Sequence, residues 1–270
     1  MPDPAPASAS ASADSTMRTM GGRSTIAVIA SEAGGTLDSL LAENLAVACR
    51  RAGRRVLLVD AAPEQACRPW ARARAATHLR PLPDVLALRG MGFGERLARE
   101  LDGQASSRYD DVLVGAGSCD NPECRSALVA AMVAIVPIAV ADADPAQHYR
   151  LIARLNAARM LNPGLRVLFA AVTEDGSLPQ ADLARVRAYA REVMGGRVAQ
   201  VALPALALRR AAAAAGGCAS DADDGSPAGS AADHAAAALD ALCGEAFGNP
   251  HGGHAARRLP RCGQPQTVQG

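Results

Sequence analysis

The chain contains no lysine; all 28 of its basic residues are arginine. No step that needs a lysine ammonium can therefore take place on it. Aromatic residues make up only 3% against 49% hydrophobic residues overall, so the core has to be built from Leu, Val, Ile and Ala. No apolar run reaches the ~20 residues of a membrane span. The longest candidate, 127–141, contains Pro137 and reads as a helix end followed by a buried strand. Seven cysteines include no CxxC pair, and residues 1–14 are Pro/Ala/Ser-rich without the apolar segment of a signal peptide. These features predict a cytoplasmic protein with reduced thiols. A net charge of +1 provides no whole-chain field for nucleic acid or an anionic membrane, and leaves only local basic patches.

What is present is an alternation. Short β-rich runs occur at 25–30, 55–60, 84–88, 111–114, 133–140, 166–172 and 197–203. Amphipathic helical patterns occur at 38–52, 94–101, 122–131, 145–160, 179–194 and 206–215, with a last one at 231–247. Continuous apolar strands separated by helices predict a single doubly wound, mainly parallel α/β sheet covered on both faces. Pro122, Pro145 and Pro179 mark helix starts. The domain is expected at 24–247 with a flexible Gly/Asp/Ser linker at 216–230, between low-complexity tails at 1–23 and 248–270. Ligands in such sheets bind beyond the carboxyl ends of the strands, which directs attention to the loops 31–37, 61–68 and 115–121.

Several segments carry a resemblance. Glu43-Asn44-Leu45-Ala46, followed by Arg51-Ala52-Gly53-Arg54-Arg55-Val56-Leu57-Leu58-Val59-Asp60, resembles the first helix and second strand of the ParA/MinD family of deviant P-loop ATPases. Asp60-Ala61-Ala62-Pro63-Glu64-Gln65 before Trp70 resembles that family's Asp-x-Asp-Pro-Gln-Gly segment. Residues 115–128 and Leu161-Asn162-Pro163-Gly164 match its later loop and helix-to-strand turn. The resemblance runs from about residue 23 to 247. It implies a P-loop NTPase fold that binds ATP and Mg²⁺, forms homodimers or heterodimers with a related ATPase, and works in partition or positioning.

Aligned on Asn44-Leu45, the family's Lys-Gly-Gly-x-Gly-Lys-(Ser/Thr) loop falls on Ala33-Gly34-Gly35-Thr36-Leu37-Asp38-Ser39. Gly34, Gly35 and the Ser39 hydroxyl remain, as does Asp60, and these four form a vestigial nucleotide site. Ala33 replaces the signature lysine, Leu37 a glycine that approaches phosphate, and Asp38 the lysine that neutralises it. Ala62 stands for the second Asp, and Gly115 for the Walker B Asp. Two like charges ~4 Å apart at an effective dielectric of ~20 repel by about 4 kcal/mol, where a lysine would attract by as much. A carboxylate at a helix N-terminus also satisfies that terminus by itself, so Asp38 stands in for the phosphate it excludes.

The expectation is a pseudo-ATPase that acts through protein–protein contact and carries no catalytic residue, metal or cofactor. An atypical ATPase still holding Mg-nucleotide, and an assembly factor for a secretion, pilus or polysaccharide apparatus, are the alternatives. Arg50, Arg51, Arg54 and Arg55 are candidates for non-specific DNA contact, with Arg72, Arg74, Arg209 and Arg210 comparable. Cys119 and Cys124 have the wrong spacing for a zinc hook, and His78 and His148 read as surface residues. No GxSxG elbow supports a hydrolase.

Overall fold

A computed structural model describes residues 24–102, 108–221 and 231–248. The stretches read as tails lie outside these residues, apart from Gly248. The expected linker divides. Gly216 to Asp221 is built into the domain, with Cys218 and Ala219 buried, whereas 222–230 lies outside the described residues.

The strands are β1 (Thr25–Ser31), β2 (Val56–Asp60), β3 (Asp84–Ala87), β4 (Asp111–Ser118), β5 (Val133–Ala139), β6 (Arg166–Thr173), β7 (Gly196–Val198) and β8 (Leu203–Pro204). They form one parallel sheet in the order β3-β2-β4-β1-β5-β6-β7, with β8 also paired to β6. The helices are α1 (Thr36–Arg51), α2 (Cys67–Ala76), α3 (Phe93–Asp102), α4 (Pro122–Ala130), α5 (Tyr149–Leu161), α6 (Gln180–Ala190), α7 (Ala205–Ala212) and α8 (Ala231–Phe247).

Each face of the sheet carries its own core. One gathers Val28, Val114 and Val136 with Leu97, Leu128, Leu155 and Val186 from α3, α4, α5 and α6. The other gathers Ile29, Leu58 and Ile135 with Leu41, Leu45, Leu208 and Leu239 from α1, α7 and α8. Alternate residues of one strand feed opposite cores, which is why the central strands are apolar throughout. Phe169 and Tyr189 are the only large aromatic side chains wholly buried among the described residues, as the scarcity of aromatics implied.

Two elements depart from the sequence expectation. The strand expected at 197–203 is split, because Gln200 turns its N–H to Glu245 Oε2 on α8 (3.0 Å) instead of continuing the ladder. Helix α2 was not expected, since Arg68, Pro69, Arg72 and Arg74 obscure any apolar stripe. Its N-terminus is satisfied from a distance: Asp60 Oδ2, at the end of β2, accepts the Cys67 and Arg68 N–H groups at 3.0 and 3.2 Å.

The thiols are also corrected. Cys49 on α1 and Cys243 on α8 form a disulfide, with Cα atoms 5.9 Å apart and a sequence separation of 194. The pairing comes from α1 packing on α8, which no spacing rule reveals. Cys67, Cys119, Cys124 and Cys218 are free and buried.

Candidate functional site

From β1 the chain crosses over to β2 on one side of the sheet, and from β4 to β5 on the other. The loops after β1 and β4 therefore diverge, and a crevice opens at the carboxyl ends of these neighbouring strands. The β1–α1 loop, the β2–α2 loop and the β4–α4 loop meet there.

The β1–α1 loop is closed on itself. Ser31 Oγ donates to Asp38 Oδ2 at 2.7 Å and accepts the Gly34 N–H at 3.1 Å. Asp38 lies in the first turn of α1 and is only 4% exposed. Burial pushes its carboxyl up to about 6; the Ser31 bond pulls the other way, and Glu64 adds to the rise. At neutral pH the group is still mostly an anion, next to the N-terminus of α1.

Gly34 has a φ of +77°, and a Cβ there would lie 2.7 Å from the Ser118 nitrogen. Its missing side chain thus serves close packing of the loop on the end of β4. Gly35, at φ +130°, has open space around it and is needed for its backbone conformation alone. The loop is also tied to its neighbours. Ser118 Oγ donates to the Glu32 carbonyl at 2.9 Å, and the Cys119 N–H to the Ser31 carbonyl at 2.8 Å. Glu32 accepts the Leu151 N–H at 2.7 Å and Arg150 Nε at 2.8 Å, which anchors the loop to the start of α5.

Leu37 was expected in the path of a phosphate. Its side chain is partly buried and packs against the α1-side core. Ser39 is half-buried one residue beyond Asp38.

In the second loop, Asp60 is fully buried and spends Oδ2 on the cap of α2; Oδ1 makes no hydrogen bond of normal geometry. Glu43 of α1 is buried nearby. Burial, and then the charge of Asp60, raise its carboxyl to about 8. Ala62 is buried against the end of β4, where a Cβ on Gly117 would touch it at 3.4 Å.

In the third loop, a bulge between the Gly115 and Gly117 pairings with β1 adds Ala116 to β4. A Cβ on Gly115 would meet Ala42 at an ordinary 3.6 Å, so the backbone there does not demand glycine for space. Asp120 pairs with Arg150 (3.2 Å) and Arg154 (3.4 Å). Burial pushes the Cys119 thiol up to about 11 and that of Cys124 to about 12, which leaves both as unreactive thiols. Among the described residues no three His, Cys, Asp or Glu side chains gather to hold a metal.

The loops therefore bring Gly34, Gly35, Ser39 and Asp60 to one end of the sheet, with the Gly34 N–H and Asp60 Oδ2 engaged by the protein itself. The Gly34 N–H is taken, the neighbouring side chain is an anion, and Asp60 is committed to α2. A cavity of about 690 Å³ opens elsewhere, lined by Leu178, Leu183, Val201, Pro204 and His234 among others, and none of the three loops lines it.

Three of the four first-named candidate DNA-contacting arginines, Arg51, Arg54 and Arg55, are held by their own chain. Arg54 forms a two-pronged pair with buried Asp111, and Arg55 pairs with Asp110 at 2.7 Å. Arg51 donates to the Ser220 carbonyl. DNA contact through them would have to displace these pairs. Arg74 is corrected outright. It is fully buried, pairs with Asp221 at 2.5 and 2.8 Å, and donates to the Pro81 and Gly216 carbonyls. His148, expected at the surface, packs edge-on against Tyr189 with its Nδ1 buried.

No protein-family model and no curated protein sequence matches the chain. Solved structures do. The ATP complex of a Cyanothece McdA variant superposes with a TM-score of 0.60 at 14% identity, over 84% of this chain and 97% of that one. The Aquifex aeolicus MinD cell division protein gives 0.56 at 16%, over 83% and 97%. Cobyrinic acid a,c-diamide synthase from Mycobacterium smegmatis, with ADP and magnesium bound, gives 0.51 at 18%, over 70% and 93%. The expected fold, that of the ParA/MinD-type P-loop ATPases, is thus the fold of this chain. No helix among the described residues is long and apolar enough to cross a membrane.

Proposed function

We propose that this chain is a pseudo-ATPase with the ParA/MinD fold, and that it serves in partition or positioning of DNA or another large cargo by protein–protein contact. The observation that carries this is the Ser31–Asp38–Gly34 set of hydrogen bonds: the Ser31 hydroxyl takes up the Gly34 N–H that a phosphate would need and donates to an anionic Asp38 that would repel it. Phosphoryl transfer depends on positioning and charge neutralisation. Here the loop residue nearest the phosphates has the wrong sign, and Gly115 offers no carboxylate for Mg²⁺. The likeness to MinD, a cell division protein, supports a positioning role over general nucleotide chemistry. A cytoplasmic setting goes with that role. Disulfides are rare there, but Cys49 and Cys243 are buried away from bulk reductant.

The test is phosphate release over hours, with and without DNA, beside titration calorimetry with Mg-ATP. The unmodified protein is expected to release phosphate no faster than buffer and to show no binding heat. Asp38→Lys is expected to gain weak nucleotide binding without turnover, because Gly115 is unchanged. Turnover in the unmodified protein that Ser39→Ala abolishes would establish the alternative, an unusual ATPase.

A further inference from the structure

Helix α5 is apolar on two sides. Leu151, Leu155 and Ala158 face the sheet and are buried. At about 100° per residue, Tyr149, Ala153, Ala157 and Met160 fall on the opposite side, with Leu161 at its edge. All five are exposed, Tyr149 at 66%, Met160 at 77% and Leu161 at 73%.

The apolar face continues beyond the helix. Asn162 Nδ2 donates to the Leu128 and Ala131 carbonyls, which sets the exposed Val129 and Met132 beside the end of α5. On the other flank the Met194 N–H donates to Asn156 Oδ1, which brings the exposed Met194 alongside. Six of the eight large hydrophobic side chains exposed among the described residues thus share one region.

We infer that this face joins two copies of the chain, with α5 packed antiparallel on α5 of the second copy. A two-fold contact requires a self-complementary surface. Along α5 the exposed row runs large, small, small, large. Antiparallel pairing about the helix midpoint sets Tyr149 against Leu161 and Ala153 against Ala157. Alanines at the crossing let the axes approach to about 8 Å.

Charge does not oppose the pairing. Arg150 and Arg154 are neutralised by Glu32 and Asp120 of the same chain, and Arg159 donates to the Pro163 and Leu165 carbonyls. The exposed side chains amount to several hundred Å², approaching the ~800 Å² per partner of a stable interface and at the upper end of patches left bare on monomers. The inference goes beyond the pseudo-ATPase reading and is independent of it, since it uses no residue of the β1–α1 loop.

Sedimentation velocity of the full chain over a concentration series, without nucleotide, tests it. The unmodified protein is expected to be a dimer. Ala157→Arg, which buries an unpaired charge at the crossing, is expected to weaken the dimer about a hundredfold or more, with the circular dichroism spectrum unchanged. In a second measurement, chains carrying Ala153→Cys and chains carrying Ala157→Cys are mixed and oxidised. The mixture is expected to cross-link faster than either chain alone. A monomer at every concentration, a dimer indifferent to Ala157→Arg, or equal cross-linking of the single variants would each overturn the inference. A monomer that pellets with anionic phospholipid vesicles would also overturn it, and would assign the face to a membrane surface.

Discussion

Glu43 offers the sharpest physical test of the structure. Its carboxyl is 4% exposed on α1, and burial followed by the charge of Asp60 lifts it from about 4.5 in the unfolded chain to about 8. The folded state therefore holds a proton that the unfolded state has already released. For a raised acid, the stabilisation is complete below the unfolded value and is lost as pH rises through the folded one. Each pH unit between the two removes about 1.4 kcal/mol, so the loss between pH 6 and pH 8 is about 2 kcal/mol. Asp38, raised to about 6, adds the same sign but finishes most of its loss below this window. The thiols of Cys67 and Cys218, pushed up by burial, act only at higher pH. Urea unfolding of the unmodified protein and of Glu43→Gln, at pH 6, 7 and 8, isolates the effect. The glutamine keeps the shape and cannot ionise, so its stability should be nearly flat where the parent declines. Parallel pH slopes in the two proteins would refute the buried Glu43–Asp60 arrangement.

Other consequences can be measured the same way. Arg74→Met leaves Asp221 without its buried partner and should cost about 3–5 kcal/mol in urea unfolding, since a broken buried pair strands a charge; a loss under 1 kcal/mol would mean that the pair is solvated. Gly34→Ala would press a Cβ against the Ser118 nitrogen in a left-handed backbone conformation, and should lower the thermal midpoint by several degrees; an unchanged midpoint would show the β1–α1 loop free of the end of β4. Reducing the Cys49–Cys243 bond, which closes a loop of 194 residues, should cost about 2–5 kcal/mol, and an unchanged urea midpoint in dithiothreitol would show the bond to be absent in solution.

The sequence by itself determined the class of the fold and the place of the candidate site. Apolar runs of strand length between helical patterns leave few arrangements other than a parallel sheet covered on both faces, because each strand has two sides to bury. The residue types at Ala33, Asp38, Ala62 and Gly115 could be read from the chain, and their reading as replacements rests on the resemblance. The tertiary structure decided what those residues do. That Asp38 meets Ser31, that Asp60 caps a helix seven residues on, and that Leu37 turns to the core are facts about directions in space, and residue type does not encode direction. The same holds for Arg74. Its position on a charged, proline-containing helix suggested a solvated face, yet Asp221, 147 residues away, makes it a buried ion pair. The Cys49–Cys243 bond and the bare face of α5 likewise arise only when distant segments pack. Local patterns specify which side of an element is apolar; they do not say which neighbour covers it.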